Sequence, residues 1–167
     1  MGLKFCSPTI NLYFSKEDFI LFCENLRGFL TSELTEFVDP DLTFPVGILK
    51  YNDTCIKINF LHYSSFEEAK EKWDERKERV DYSNIVIIWV IPEQLTEKDI
   101  RRFDSLPYKR KLLISYDNIT NSKNVVINRV FKKKNFYPGK IMSYPSIFST
   151  KKYLDEIDYV DLLNSEP

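Results

Sequence analysis

Thr54-Cys-Ile-Lys-Ile-Asn-Phe-Leu-His-Tyr63 followed by Ser64-Ser-Phe-Glu-Glu-Ala-Lys-Glu-Lys-Trp-Asp-Glu-Arg-Lys-Glu-Arg-Val80 is the stretch that decides the fold. In its first part Ile56, Ile58 and Phe60 alternate with Lys57 and Asn59, the period of a strand with one face inward. In its second part Phe66, Ala69, Trp73 and Val80 keep to one stripe among charged residues, the period of a helix. Ser64 and Glu67 read as the capping box that starts this helix, each side chain bonding the other residue's amide. The only histidine, His62, sits where strand meets helix.

Downstream, Asn84-Ile-Val-Ile-Ile-Trp-Val-Ile91 is a continuous apolar run, expected as a strand covered on both faces. Thr96 and Asp99 cap a short helix ending near Ser105, with Ile100 and Phe103 inward. Residues 111–116 and 124–128 read as strands, and 132–134 with 138–139 as an exposed loop. A last helix begins at Ser149 or Thr150, with Tyr153, Leu154, Ile157, Tyr159, Val160 and Leu163 as its apolar contacts.

Upstream, residues 8–14 read as a strand with Ile10 and Leu12 on one face. Ser15 then caps a helix, with Asp18 at its third position, whose stripe is Phe19, Phe22, Cys23, Leu26, Phe29 and Leu30. Residues 31–40 are acidic and end in a turn at Asp39-Pro40. A strand at 47–51 returns through Asn52-Asp53 to pair antiparallel with the His62 strand. The order β-α-β-β-α-β-α-β-β-α predicts a single α/β domain over residues 1–167. It would be three-layered: a mixed, mostly parallel sheet with flanking helices and an antiparallel hairpin near one edge. The His62 strand, 84–91 and 111–116 would be joined by right-handed parallel crossovers.

A chain of 167 residues with 43% hydrophobic and 29% charged residues can bury a core as one globular domain. A net charge of −1 argues against broad binding to nucleic acid or anionic lipid. Aromatic residues make up 15% of the chain, enough to fill a core and still line a pocket or interface. Cys6, Cys23 and Cys55 are odd in number and lack metal-ligand spacing, so they read as reduced, buried small hydrophobes in a reducing compartment. Neither a secretory leader nor a membrane-spanning run is visible.

Parallel strands would bring their carboxyl ends to one edge, where ligands of α/β sheets bind. His62 and Tyr63 follow one strand, Pro92 and Glu93 the next, and Tyr116, Asp117 and Asn118 the third. A histidine beside a carboxylate at such an edge can act as a general base. The blander role for His62 is a structural contact at the helix start. Trp73 fits a core position better than a ligand contact. Lys72 and Arg76, one turn apart, suit a phosphate or carboxylate, or else a solvated face. Lys109, Arg110 and Lys111 carry the same two readings. No dinucleotide or NTPase glycine loop, nucleophile elbow or zinc-ligand cluster is present.

Several stretches resemble a family. Phe44-Pro45-Val46-Gly47, Phe60-Leu61-His62-Tyr63 and Glu67-Glu68-Ala69-Lys70-x-Lys72-Trp73-x-x-Arg76-x-x-Arg79 are similar to domain-of-unknown-function family nineteen-nineteen, whose members are commonly labelled exopolysaccharide biosynthesis proteins. Pro8-Thr9 with Leu12-Tyr13-Phe14 resembles its early strand, Phe103-Asp104-x-Leu106-Pro107-Tyr108-Lys109-x-Lys111 its later helix-to-strand segment, and Asp158-Tyr159-Val160-x-Leu162-Leu163-Asn164 its end. Members usually begin with a further strand and an Asn-Asn-Cys-Trp-Gly-like loop, whereas this chain opens at Met1-Gly2-Leu3. Where the family tends to have a polar, cysteine-containing turn after the central strand, this chain has Ile91-Pro92-Glu93-Gln94.

The resemblance implies surface-polysaccharide assembly. The first expectation is a cytoplasmic protein of exopolysaccharide or capsular polysaccharide biosynthesis that binds a sugar or its activated donor and transfers a group. His62 would be the general base, oriented by Asp117 or Asp104. Lys72 or Arg76 would hold an anion, and Tyr63, Trp73, Tyr116 and Asn118 would line the substrate. No metal-ligating residue is assigned, the cofactor is left open, including a carboxylate-bound magnesium, and a second copy or a pathway protein is the expected protein partner. The second expectation, drawn from the two departures, is a non-catalytic partner- or carbohydrate-binding module in the same pathway.

Overall fold

In a computed structural model the chain is described at residues 7–91, 95–115, 125–127, 143–146, 148–152, 155 and 159–164. Helices and strands are mixed, and the chain divides into two compact units, residues 1–82 and 83–167. No helix among the described residues is long and apolar enough to cross a membrane.

The first unit holds helices α1 (Lys16–Glu24) and α2 (Leu26–Thr31), strands β1 (Leu34–Phe37), β2 (Val46–Tyr51) and β3 (Thr54–Asn59), and helix α3 (Phe66–Lys77). Its sheet runs β1-β2-β3, antiparallel throughout. The expected hairpin is present, with Tyr51 paired to Thr54 across Asn52-Asp53 and Asn52 in the left-handed region (φ 50°). β1 is an additional strand: Leu34 pairs with Leu49, which pairs with Ile56, and all three are buried. The turn expected at Asp39-Pro40 forms, with the Leu42 amide donating to Asp39 O and the Asp41 amide to Asp39 Oδ1.

Several expectations change in this unit. Residues 8–11 make a turn rather than a strand, because Asn11 lies at φ 63°; only Tyr13 bridges β3, exchanging backbone hydrogen bonds with Asn59. The long first helix breaks at Asn25 (φ −128°, ψ 37°) into α1 and α2. Most of its expected inward stripe is buried, namely Phe22, Cys23, Leu26, Phe29 and Leu30, but Phe19 is half-buried and Ile20, outside that stripe, is fully buried. Cys55, expected buried, is exposed, because it takes an outward position of β3 between Thr54 and the buried Ile56. β3 stops at Asn59, so His62 lies in a turn beyond the strand. Much of the aromatic surplus is core here. Phe14 stacks on Phe22 at 5.0 Å, Phe22 meets Phe29 at 6.3 Å and Trp73 at 6.2 Å, and Phe29 meets Tyr51 edge-on at 6.0 Å.

The second unit holds β4 (Ile87–Val90), α4 (Glu97–Asp104), β5 (Lys111–Ser115), β6 (Val125–Ile127) and α5 (Tyr159–Asn164). Its sheet runs β4-β5-β6, parallel at both pairings. The β4-α4-β5 crossover is therefore parallel as expected, and Thr96 and Asp99 form the full capping box with Ile100 and Phe103 buried. The mostly parallel single sheet is corrected: parallel pairing among the described strands is confined to β4, β5 and β6, and β3 pairs only antiparallel. β4 is not covered on both faces either, since Ile87 and Trp89 are buried while Ile88 is 44% exposed. The last helix does not start at Ser149 or Thr150. Ser149 Oγ donates to Lys151 O instead of capping, α-helix among the described residues of this stretch is Tyr159–Asn164, and Val160 is exposed. The expectations for Cys6, Pro92, Glu93, Gln94, 116–124, 128–142, Tyr153, Leu154 and Ile157 lie outside the described residues.

Candidate functional site

The β3-to-α3 connection brings candidate residues together. Phe60 is buried, its amide donates to Pro45 O, and Leu61-His62 turns the chain so that the Tyr63 amide donates to Phe60 O at 3.3 Å. α3 then starts one residue later than its sequence suggests. Ser65 is the N-cap and accepts from the Glu68 amide, while the Glu68 carboxylate accepts from both the amide and the hydroxyl of Ser64. The box is thus Ser64-Ser65-Glu68, and the Ser64 hydroxyl holds the Glu68 carboxyl below the usual carboxylate range. Glu67 is lowered as well, chiefly by the backbone amide.

This geometry sets Tyr63 against Arg76. Arg76 Nη1 donates to Tyr63 Oη at 2.7 Å and to Ile10 O at 3.2 Å. The Tyr63 ring stands edge-on to Phe60, with centroids 5.7 Å apart and an 85° angle. Tyr63 and Arg76 are both half-buried, and His62, next in the chain, is exposed. Among the described residues the His62 ring makes no hydrogen bond or ion pair.

The other candidates are placed differently. Lys72 lies on the charged face of α3, 3.3 Å from Glu75 and 3.9 Å from Glu71. Lys70 and Lys77 both reach Asp74, Arg79 reaches Glu75, and Lys70 also donates to Leu34 O, tying α3 to β1. Trp73 is 1% exposed in the core, and Nε1 has no hydrogen-bond partner among the described residues. Asp104 ends α4 in the second unit, where its backbone oxygen accepts from Lys111 Nζ. Tyr116, Asp117 and Asn118 lie outside the described residues. Of the basic 109–111 run, Arg110 is buried and donates to Asn84 Oδ1, and Lys111 is buried and also donates to Leu106 O at 2.6 Å. Those two cations tie backbone and side-chain oxygens inside their own unit. No group of three or more His, Cys, Asp or Glu suited to a metal exists among the described residues.

Arg76 as the partner of Ile10 was not visible in the sequence, because the two are 66 positions apart. The Tyr63–Arg76 contact has no local signal either: the ten residues from Phe66 to Arg76 rise about 15 Å along α3, further than a guanidinium reaches, so the contact depends on how the rest of the unit places the turn.

Residues 1–164 match the family described as "Domain of unknown function (DUF1919)". An uncharacterized protein of Haemophilus influenzae is 38% identical over 160 residues, covering 96% of this chain and 74% of that protein. The chain belongs to the DUF1919 family.

Proposed function

From that membership we propose that the protein binds a sugar, free or as an activated donor, in the cytoplasmic steps of exopolysaccharide or capsular polysaccharide biosynthesis. The His62-Tyr63 turn is the recognition point. The pathway comes from the family resemblance. The site is supported by one observation: an aromatic ring bearing a hydroxyl is fixed by Phe60 and Arg76 beside an exposed imidazole. Sugar sites combine an aromatic face with a few oriented polar groups, and this turn offers both.

In a group-transfer reaction His62 takes the proton from the sugar hydroxyl as that oxygen bonds to the transferred group, whose bond to the donor's carrier breaks so that the carrier leaves with the electron pair. Tyr63, Arg76 and Lys72 remain the proposed substrate side, whereas Trp73 is taken up by the core, and a second copy or a pathway protein is the proposed macromolecular partner. The second reading is a non-catalytic binding module. It is favoured by the lack of any hydrogen bond or ion pair orienting His62 among the described residues.

Thermal unfolding of the protein and of His62→Ala, each with a panel of saccharides and nucleotide sugars, tests both. A ligand that binds the folded state raises the melting temperature by mass action. A rise with one saccharide class that is lost in His62→Ala supports the site. A rise retained in His62→Ala, with no turnover in either protein, supports the binding module. No rise with any saccharide overturns the sugar reading.

A further inference from the structure

The Tyr63–Arg76 contact has a fixed polarity. A guanidinium has donors and no acceptor, so across the 2.7 Å contact the phenolic oxygen must accept. The hydroxyl hydrogen is then turned away from Arg76, and among the described residues it has no acceptor. A phenol whose oxygen accepts from a cation is polarised toward donating its own hydrogen more strongly. The same Arg76 nitrogen is anchored on Ile10 O, and the ring is braced against Phe60, so the hydroxyl is held in place from two sides.

We propose that this pair recognises an anionic oxygen, with Tyr63 Oη donating to the phosphate of a phosphorylated sugar. The inference rests on the sugar-binding reading and narrows its ligand class from sugars in general to those activated through phosphate. Two features select an anion over a neutral hydroxyl. The free hydrogen asks for an acceptor, and a phosphate oxygen is a strong one, whereas a sugar hydroxyl brings a donor of its own that must also be satisfied. The guanidinium behind the phenol adds positive potential at the same point, favourable only for negative charge. The remaining α3 lysines do not serve this end, since Lys70, Lys72 and Lys77 are all paired with carboxylates of their own helix.

Titration calorimetry with inorganic phosphate, uridine diphosphate glucose and glucose, on the intact chain and on Tyr63→Phe, decides the matter. Phenylalanine keeps the contact with Phe60 and removes only the hydroxyl; an unchanged far-ultraviolet circular dichroism spectrum at the titration temperature certifies the fold of the variant. Both phosphate-bearing probes are expected to bind, and Tyr63→Phe to weaken each roughly ten- to a hundredfold, the range for a hydrogen bond to a charged group. Phosphate binding unaffected by Tyr63→Phe, or no phosphate binding at all, overturns this inference. Glucose bound as tightly as uridine diphosphate glucose also overturns it while leaving the sugar reading standing. Tyr63-dependent phosphate binding with no gain from the attached sugar keeps the anion site and removes the sugar reading.

Discussion

Arg76 Nη1 joins Tyr63 Oη and Ile10 O, so one nitrogen near the end of α3 ties the turn after β3 to the segment that precedes α1. The segment from Ile10 is held a second time at Tyr13, which exchanges backbone hydrogen bonds with Asn59 and also accepts from Asn59 Nδ2. It runs on into Phe14, buried on Phe22. Arg76→Met keeps most of the apolar stem and removes the polar ties to Tyr63 and Ile10. It is expected to cost about 1–3 kcal/mol, since the Ile10 carbonyl and Tyr63 hydroxyl lose a charged donor together. Tyr63→Phe should cost less, because Arg76 keeps Ile10 O. Urea unfolding of the two variants measures the difference, and equal losses would show that the tie to Ile10 contributes nothing.

Gly28 and Tyr51 set how closely α2 approaches β2. A Cβ on Gly28 would stand 2.5 Å from the Tyr51 ring carbons. The ring is 37% exposed and can swing away, but only by giving up its edge-on contact with Phe29. Overpacking of this kind costs about 1–3 kcal/mol, against a helix-propensity gain of about 1 kcal/mol for Gly→Ala. Gly28→Ala is therefore expected to destabilise the protein by about 1 kcal/mol. In a Tyr51→Ala background the clash is gone, and the same substitution should be neutral or stabilising. A double-mutant cycle on unfolding free energies reads that change of sign.

How legible the chain was follows from how local each cause is. α3 and α4 announce themselves through stripe and cap within a dozen residues, although with two adjacent serines the α3 cap was placed one residue early, at Ser64 with Glu67 instead of Ser65 with Glu68. The β2–β3 hairpin was readable because its turn is two residues long. β1 was not, because Thr35 and Glu36 are exposed and only Leu34 is buried, which leaves no alternation to detect. Its strand character comes from pairing with β2, a tertiary cause. The continuous apolar run at 84–91 suggested a doubly covered strand in one parallel sheet, but periodicity cannot say which neighbour a strand will take. The same holds for the site. Tyr63 and Arg76 were each visible as candidates, but their contact depends on where β3 ends, and the tie to Ile10 depends on the whole unit.

Cys23 gives the stability a pH dependence of known sign. It is 1% exposed in α1, and burial pushes its thiol up to about 12, with the neighbouring Glu24 adding to the shift. In the unfolded chain the thiol ionises near its ordinary value of 9.0, so between there and about 12 the unfolded state has lost a proton that the folded state keeps. The stability due to this group is complete below pH 9.0 and is lost as pH rises toward 12. Cys23→Ala or Cys23→Ser is therefore expected to flatten the fall in unfolding free energy above pH 9.0, even though either variant is less stable at neutral pH. The same burial predicts the labelling pattern, because the thiolate is the reactive form. A thiol reagent at pH 8, followed by peptide mapping, should modify the exposed Cys55 readily and spare Cys23 until the chain unfolds. Equal labelling of the two in the native protein, or an alkaline limb unchanged by Cys23→Ala, would mean that α1 opens on the timescale of the reagent and does not keep Cys23 buried.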